Sequence, residues 1–288
     1  MCLLLFYVNP DAGPDDIYLV LVSVRDEIFD RPTKLAEFWK EHPHVIGGTD
    51  QEPGKEGGTW LAMSKSGKIG VLLNILQPDD DILPDKKGRG FLAADYVVQE
   101  ANYIEYLKNL STEGKNYNEF LLVTMDYSSL KAPKIACYTN SSPSVPLVLG
   151  PGFHAFGNSI TPNNPWPKVS KAKEDFCKVV QRFPTISTKT ELVKELLQLL
   201  RNPTRYPPDE NMKIQGRTKS IEFLDKLCAI FVNIPESNYG SRCHTVILVD
   251  GARNVDYYES SRPENLTPES VQEWETNHHT FKLLENLS

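Results

Sequence analysis

The sequence predicts an α+β fold in which two packed antiparallel sheets are sandwiched by helices. Three observations carry that expectation. Apolar runs of strand length recur along the chain: CLLLFYV, IYLVLVSV, GTWLAMS, KIGVLLNIL, FLLVTMD, LCAIFVNI and HTVILVD. They are nearly continuous rather than alternating, which marks strands buried on both faces. The connections are short and turn-like: NPDAGPDD joins the first two runs and KSGK the third and fourth. Short connections mean antiparallel neighbours, and a sheet covered on both faces needs layers above and below it.

Helical patterns supply those layers. TKLAEFWKEH follows Pro32 and starts with Thr33 as its expected N-cap. GFLAADYVVQEANYIEYLKNL carries apolar residues at helical spacing. SKAKEDFCKVVQRF is read from Ser170, and STKTELVKELLQLLRN from Ser187 with Leu at i, i+4. Strands and helices do not alternate cleanly, so the class is α+β and not α/β. RNPTRYPPDENM reads as a long exposed loop. No repeat, low-complexity tract or linker divides the chain, so residues 1–288 are expected to form a single domain.

Composition sets limits on function. The chain has 288 residues, 40% of them apolar, and a net charge of -7. That balance excludes a general affinity for nucleic acid or membrane surfaces. Cys2, Cys137, Cys177, Cys228 and Cys243 form no C-x-x-C pair and no metal-type spacing. They read as reduced thiols of a cytoplasmic protein. The apolar run Leu3 to Val8 is too short to span a bilayer, so no transmembrane segment and no secretory signal are expected. The N-x-S/T matches at Asn109, Asn140, Asn265 and Asn286 then count as chance.

The first hairpin places chemistry. If the first two runs pair antiparallel, the start of one lies beside the end of the other, and Cys2 meets Arg25 and Asp26. Removal of Met1 would leave Cys2 with a thiol and a free α-amine, a usable base near neutral pH. Arg25 is expected to favour the thiolate and Asp26 to orient the amine. The plainer alternatives are a packed Cys2 and a solvated charged turn.

Four stretches extend the pattern: VRDEIFDRP (24–32), GKEGGTWLAMS (54–64), LKNLSTEGKNYNEFLLV (107–123) and RCHTVILVD (242–250). With Met1–Cys2 ahead of them, the chain resembles the transport and Golgi organization protein 2 family along its whole length. The family's domain is named for an Asn-Arg-Asp-Glu motif; here Val24 stands in place of the Asn, and Arg25, Asp26 and Glu27 remain. The resemblance implies a four-layer αββα sandwich like that of the N-terminal nucleophile hydrolases. By likeness to the amide-cleaving members of that group, it implies oxyanion donors at Asn74 and Asn158 and a cation at Arg242. It implies no settled reaction. Eukaryotic members are linked to intracellular haem trafficking, and acyl-coenzyme A binding has also been proposed for the family.

Haem as cargo calls for an apolar slot and an axial residue. There is no C-x-x-C-H. His278 and His279 are adjacent in an expected strand and face opposite sides, and His42 and His44 flank Pro43 in a loop. His154, with Gly157 three residues on in GPGFHAFGNS, is the candidate axial ligand and ligand-binding stretch. DKKGRGF offers Lys86, Lys87 and Arg89 ahead of a helix, where propionates or coenzyme A phosphates would suit. The expected function is therefore haem trafficking in the cytoplasm, in association with mitochondria or the Golgi, with haem-acceptor proteins as partners. A Cys2-dependent amide hydrolase and an acyl-coenzyme A binding protein are the alternatives. Whether the chain is an enzyme, and its oligomeric state, are left open at this point.

Overall fold

The structure, a computed structural model, describes residues 1–141, 145–161, 164–263 and 274–284. Asn265 and Asn286 lie outside the described residues. In chain order the first half holds β1 (Leu3–Val8), β2 (Ile17–Ile28), β3 (Thr33–Phe38), β4 (Val45–Asp50), β5 (Leu61–Ser64), β6 (Lys68–Asn74), α1 (Phe91–Val98), α2 (Tyr103–Glu113), β7 (Phe120–Asp126), β8 (Lys134–Thr139) and β9 (Leu147–Leu149). The second half holds β10 (Gly152–Phe156), α3 (Pro167–Arg182), α4 (Lys189–Leu200), α5 (Glu210–Gln215), α6 (Ile221–Lys226), β11 (Asn233–Ile234), β12 (Tyr239–Asp250), β13 (Asn254–Ser261) and β14 (Glu275–Lys282).

The class is α+β, with two large sheets and helices. The chain divides into two compact units, Met1–Asp30 with Gly152–Thr280, and Arg31–Pro151 with Phe281–Ser288. In the first unit the strand order is β10-β1-β2-β12-β13-β14, with β11 beside β12. The predicted hairpin is present: β1 and β2 pair antiparallel, with Leu3 opposite Val24 and Val8 opposite Leu19. β2 then pairs β12 along its full length. This central position explains why residues Ile17 to Asp26 are all buried. α3 packs on β1 and β10, and α4 on β12. The apolar face of α3, with Val169, Ala172, Phe176 and Val180 all buried, accounts for that docking.

The second unit is a meander, β3-β4-β5-β6-β7-β8-β9, each strand antiparallel to the next. KSGK makes the β5–β6 turn as read from the sequence. Gly67 adopts φ +93, and a Cβ there would meet the Tyr127 carbonyl carbon at 2.7 Å, so only glycine serves. α1 and α2 cover one face of this sheet. Leu92, Ala93, Leu107 and Leu110 pack there on Leu72, Phe120, Leu122, Ala136 and Tyr138.

Several expected elements differ. TKLAEFWKEH is a strand and loop, not a helix with a Thr33 cap: Thr33 pairs Asp50 and Phe38 pairs Ile46. Its partner β4 went unread because VIGGTD carries two glycines. They are demanded by close approach, since a Cβ on Gly47 would lie 2.6 Å from the Leu61 carbonyl oxygen. The long helix from Gly90 is two helices. Asn102 caps the second by accepting from the Ile104 amide at 3.0 Å, and Lys68 Nζ donates to the Ala101 carbonyl in the break at 2.8 Å. α3 begins at Pro167, not Ser170, because proline fits the first helical turn. α4 begins at Lys189, after a 3-10 turn over Ile186–Thr188, not at Ser187. LCAIFVNI is strand only at Asn233–Ile234. RNPTRYPPDENM is irregular up to Asp209 but ends inside α5, where Met212 is buried.

One side chain joins three pieces of the second unit. Asn140 accepts from the Phe120 amide at 2.9 Å and donates to the carbonyls of Gly114 at 2.8 Å and Tyr117 at 3.2 Å. Asn140→Ala is expected to lower the unfolding free energy by about 1–3 kcal/mol, the cost of leaving such groups unpaired. Urea denaturation, with an unchanged far-ultraviolet spectrum, checks this.

Candidate functional site

The hairpin register sets the site. With Leu3 opposite Val24, the residues before Leu3 run beside the end of β2. Asp26 is buried there, opposite Ser241 of β12. Its Oδ2 accepts from the Met1 amine at 2.6 Å and its Oδ1 from Ser241 Oγ at 2.6 Å. The amine also donates to the Tyr239 hydroxyl at 2.7 Å. Cys2 is half-buried, with Sγ 4.0 Å from the Asp26 carbonyl oxygen. The structure therefore brings Cys2, Asp26 and the amino terminus together.

Arg25 faces the other side of β2 from Asp26 by strand alternation. It is buried, with Nη2 3.8 Å from Glu27 Oε2. Val24 is fully buried and opposes Leu3 and His244, on the face away from Arg25. The Val24 departure therefore adds to the core and leaves the surroundings of Arg25 alone. Arg242, in β12, donates from Nη1 to the Ile28 carbonyl at 3.3 Å. A Cβ on Gly157 would meet Val169 Cγ2 at 2.7 Å, with the Cys2 carbonyl oxygen at 4.0 Å, so glycine lets β10's end pass tightly between α3 and Cys2. Asn158, next in sequence, is buried, and its carbonyl accepts from Gln215 Nε2 at 3.1 Å.

The other candidates lie elsewhere. His154 sits mid-strand in β10 opposite Phe6, its ring stacked on Phe6 at 4.8 Å. Asn74 ends β6 in the second unit and is exposed. The basic loop of that unit leads into α1 as expected, but its cations brace the loop. Lys86 donates to the Lys115 carbonyl. Lys87 lies 3.5 Å from Glu113, and Arg89 Nη1 donates to the Glu119 carbonyl at 2.7 Å. No cluster of three or more His, Cys, Asp or Glu that could hold a metal ion occurs among the described residues. No described helix is long and apolar enough to cross a membrane.

A model of the family described as Transport and Golgi organisation 2 matches residues 1–264. This chain belongs to that family. The Transport and Golgi organization 2 homolog of Mus musculus is 36% identical over 284 residues, 98% of this chain and 99% of that protein. The Homo sapiens homolog gives the same identity over the same length. The Drosophila melanogaster protein is 34% identical over 288 residues, 96% of this chain and 97% of its own. Among solved structures, a Caenorhabditis elegans N-acylethanolamine-hydrolyzing acid amidase ortholog matches with a TM-score of 0.45 and 12% identity, over 68% of this chain and 85% of that one. A conjugated bile acid hydrolase from Clostridium perfringens matches with a TM-score of 0.38 and 10% identity, over 100% and 98%. Neither likeness bears on the chemistry of this site.

For this member of the Transport and Golgi organisation 2 family, burial decides the protonation states. Burial pushes the Cys2 thiol up from its ordinary value; the nearby amine opposes this, and Arg25 is the weakest of the opposing influences. Arg25 acts in the expected direction, towards the thiolate, but desolvation outweighs the cation. Burial also lowers the Met1 amine, against the pull of Asp26. The thiol thus keeps its proton at neutral pH.

Three contributors escaped the sequence reading. Tyr239 and Ser241 open β12 and reach Asp26 only because β12 pairs β2. Lys168 is buried and donates to the carbonyls of Leu227 at 2.8 Å and Ala229 at 3.2 Å, with burial lowering its pKa. The signal was present: Lys168 stands at i, i+4 spacing with Ala172 and Phe176 on the apolar face of α3. His244 is fully buried, and its pKa is pushed down to about 3 by burial and then by Arg201.

Asp26→Asn removes one partner of a buried ion pair and should cost about 3–5 kcal/mol in urea denaturation; Tyr239→Phe, which removes one hydroxyl, should cost about 0.5–1.5 kcal/mol. His244 gives an acid-side slope. The unfolded chain takes up a proton near 6.5 while folded His244 resists to about 3. The unfolded state therefore binds more protons in that window, and stability falls with falling pH by up to about 1.4 kcal/mol per unit. Denaturation midpoints of His244→Phe between about pH 4 and pH 7 should show a shallower fall than the unsubstituted protein.

Proposed function

We propose that this chain works in intracellular haem trafficking, taking haem as cargo and passing it to acceptor proteins, and that its Cys2 centre binds without cutting. The observation that carries the second half is the state of the centre. Burial raises the thiol above its ordinary value, and the amine beside it is engaged by Asp26 and Tyr239. A nucleophilic thiol needs the reverse, a lowered pKa or an adjacent free base. The haem assignment rests on the family and on the chemistry of the strand ends: Arg25 and Arg242 stand buried at one end of β2 and β12, and Arg262 stands buried just beyond β13. Guanidinium groups there suit an anionic head on an apolar body. Work in the cytoplasm, with association at mitochondria or the Golgi, belongs to the same reading.

The amide hydrolase remains the competing reading because Asp26 already binds an amine beside Cys2. In a transfer assay from haem-loaded protein to an apo-acceptor, followed by Soret absorbance, Cys2→Ala should transfer as the unsubstituted protein does. Arg25→Ala should weaken haem affinity by about tenfold or more, the value of a charge-assisted bond. Loss of transfer in a folded Cys2→Ala protein, or amide turnover that this substitution abolishes, would refute the carrier reading. Alkylation adds a direct check: at neutral pH Cys2 should react more slowly than free cysteine, whose pKa is about 8.5.

A further inference from the structure

Beneath the end of α4, β12 and β13 hold a second polar cluster, separate from the Cys2 centre. His244 of β12 is fully buried between two aromatic rings, Trp274 at 4.5 Å and Phe231 at 6.0 Å between centroids. Neither of its ring nitrogens has a hydrogen-bond partner among the described residues. The indole Nε1 of Trp274 is also buried without a partner among the described residues, and so is Nε of Arg201. The Arg201 guanidinium lies 5.6 Å from the centre of the Trp274 ring. Its Nη2 donates to Ser260 Oγ at 3.2 Å, and that oxygen also accepts from Thr276 Oγ1 at 3.3 Å. Ser260 is the register partner of His244.

Buried polar atoms are normally partnered, and three neighbouring side chains with orphaned nitrogens are an exception that calls for a cause. Two of the three can only donate: the guanidinium Nε–H and the indole N–H. The third, a neutral imidazole, donates from one nitrogen. Arg201 carries a full charge and makes no ion pair among the described residues. A water molecule could accept from the donors but would leave that charge uncompensated. An oxygen anion accepts from all three and neutralises it.

We propose that Arg201, Trp274 and His244 form a binding site for a small oxyanion, either a free inorganic anion or the carboxylate head of an organic molecule. The anion accepts from Arg201 Nε–H, Trp274 Nε1–H and one His244 ring N–H. Because Arg201 and His244 both lie against the Trp274 ring, only the head of a larger ligand sits among them. The site is independent of the haem reading, since it shares no residue with Arg25, Arg242 or Cys2.

The test uses the full chain at about pH 7, where His244 is neutral. Thermal melts are run in acetate, phosphate, sulfate and chloride at matched ionic strength, with the His244 ring carbon–proton resonance followed by NMR. An oxyanion should raise Tm saturably above the chloride reference and shift the His244 resonance. Response to acetate alone identifies a carboxylate head; response to phosphate or sulfate identifies an inorganic anion. Arg201→Gln should abolish both effects, and Trp274→Phe, which keeps the ring and removes the donor, should weaken binding about tenfold or more. If Arg201→Gln does not fold, the Trp274→Phe titration decides. If no oxyanion exceeds chloride, or His244 does not respond, the donors serve at most a trapped water and the proposal is overturned.

Discussion

The first unit is organised around one buried carboxylate. Asp26 has no exposed side-chain surface, and an ionised carboxylate out of water costs several kcal/mol unless it is paired and hydrogen-bonded. Its partners come from separate parts of the chain: the amino terminus through Oδ2 and β12 through Ser241 and Oδ1. α3 adds the charge of Lys168, which Asp26 in turn favours. β12 shifts register between Ser241 and Cys243, beside Asp26 and Arg25. Such irregularities re-aim side chains, and here Ser241 is turned onto the carboxylate while the ladder resumes at Cys243. Three segments far apart in sequence are thus placed by the need to satisfy one charge.

How much of this was legible depends on how local the cause is. The β1–β2 hairpin was readable because two apolar runs and a turn of Pro, Gly and Asp determine it within thirty residues. The β5–β6 turn was readable for the same reason. β3 and β4 were not, because their pairing is set by contacts that sequence patterns do not display. TKLAEF carries a helix-like start signal, and VIGGTD carries glycines that weaken a strand reading. The glycines make sense only once Leu61 and Trp60 are seen against them. LCAIFVNI failed in the opposite direction. It is apolar enough for a strand, yet the carbonyls of Leu227 and Ala229 are satisfied by Lys168, a side chain from a helix sixty residues earlier.

The site shows the same division. Cys2 beside Asp26 followed from one hairpin. Tyr239 and Ser241 required knowing that the second neighbour of β2 is β12, and nothing between residues 30 and 239 announces that pairing. Charge proximity was also legible, since Arg25 is two dozen residues from Cys2 in an antiparallel pair. Its effect on the thiol was not, because the sign depends on the balance between charge and burial. Arg25 acts in the expected direction and is outweighed. Burial is a property of the packed chain, so a pKa argued from sequence neighbours captures one influence and omits the larger.

Desolvation is the common cause behind the unusual protonation states of this unit. It lowers the Met1 amine and Lys168, raises the thiols of Cys2 and Cys243, and holds His244 neutral. For thiol chemistry this is adverse, because amine and thiol are displaced in the directions that keep the proton on sulfur. For binding an anion it is favourable. An arginine cannot shed its proton to escape burial, whereas burial lowers the pKa of Lys168 and of the Met1 amine. Charge interactions strengthen as the surrounding medium loses water: two unit charges at 4 Å attract by about 1 kcal/mol in bulk water and about 4 kcal/mol at the effective dielectric of a protein surface. The burial that raises the Cys2 thiol therefore also strengthens the charge interactions that buried guanidinium groups make.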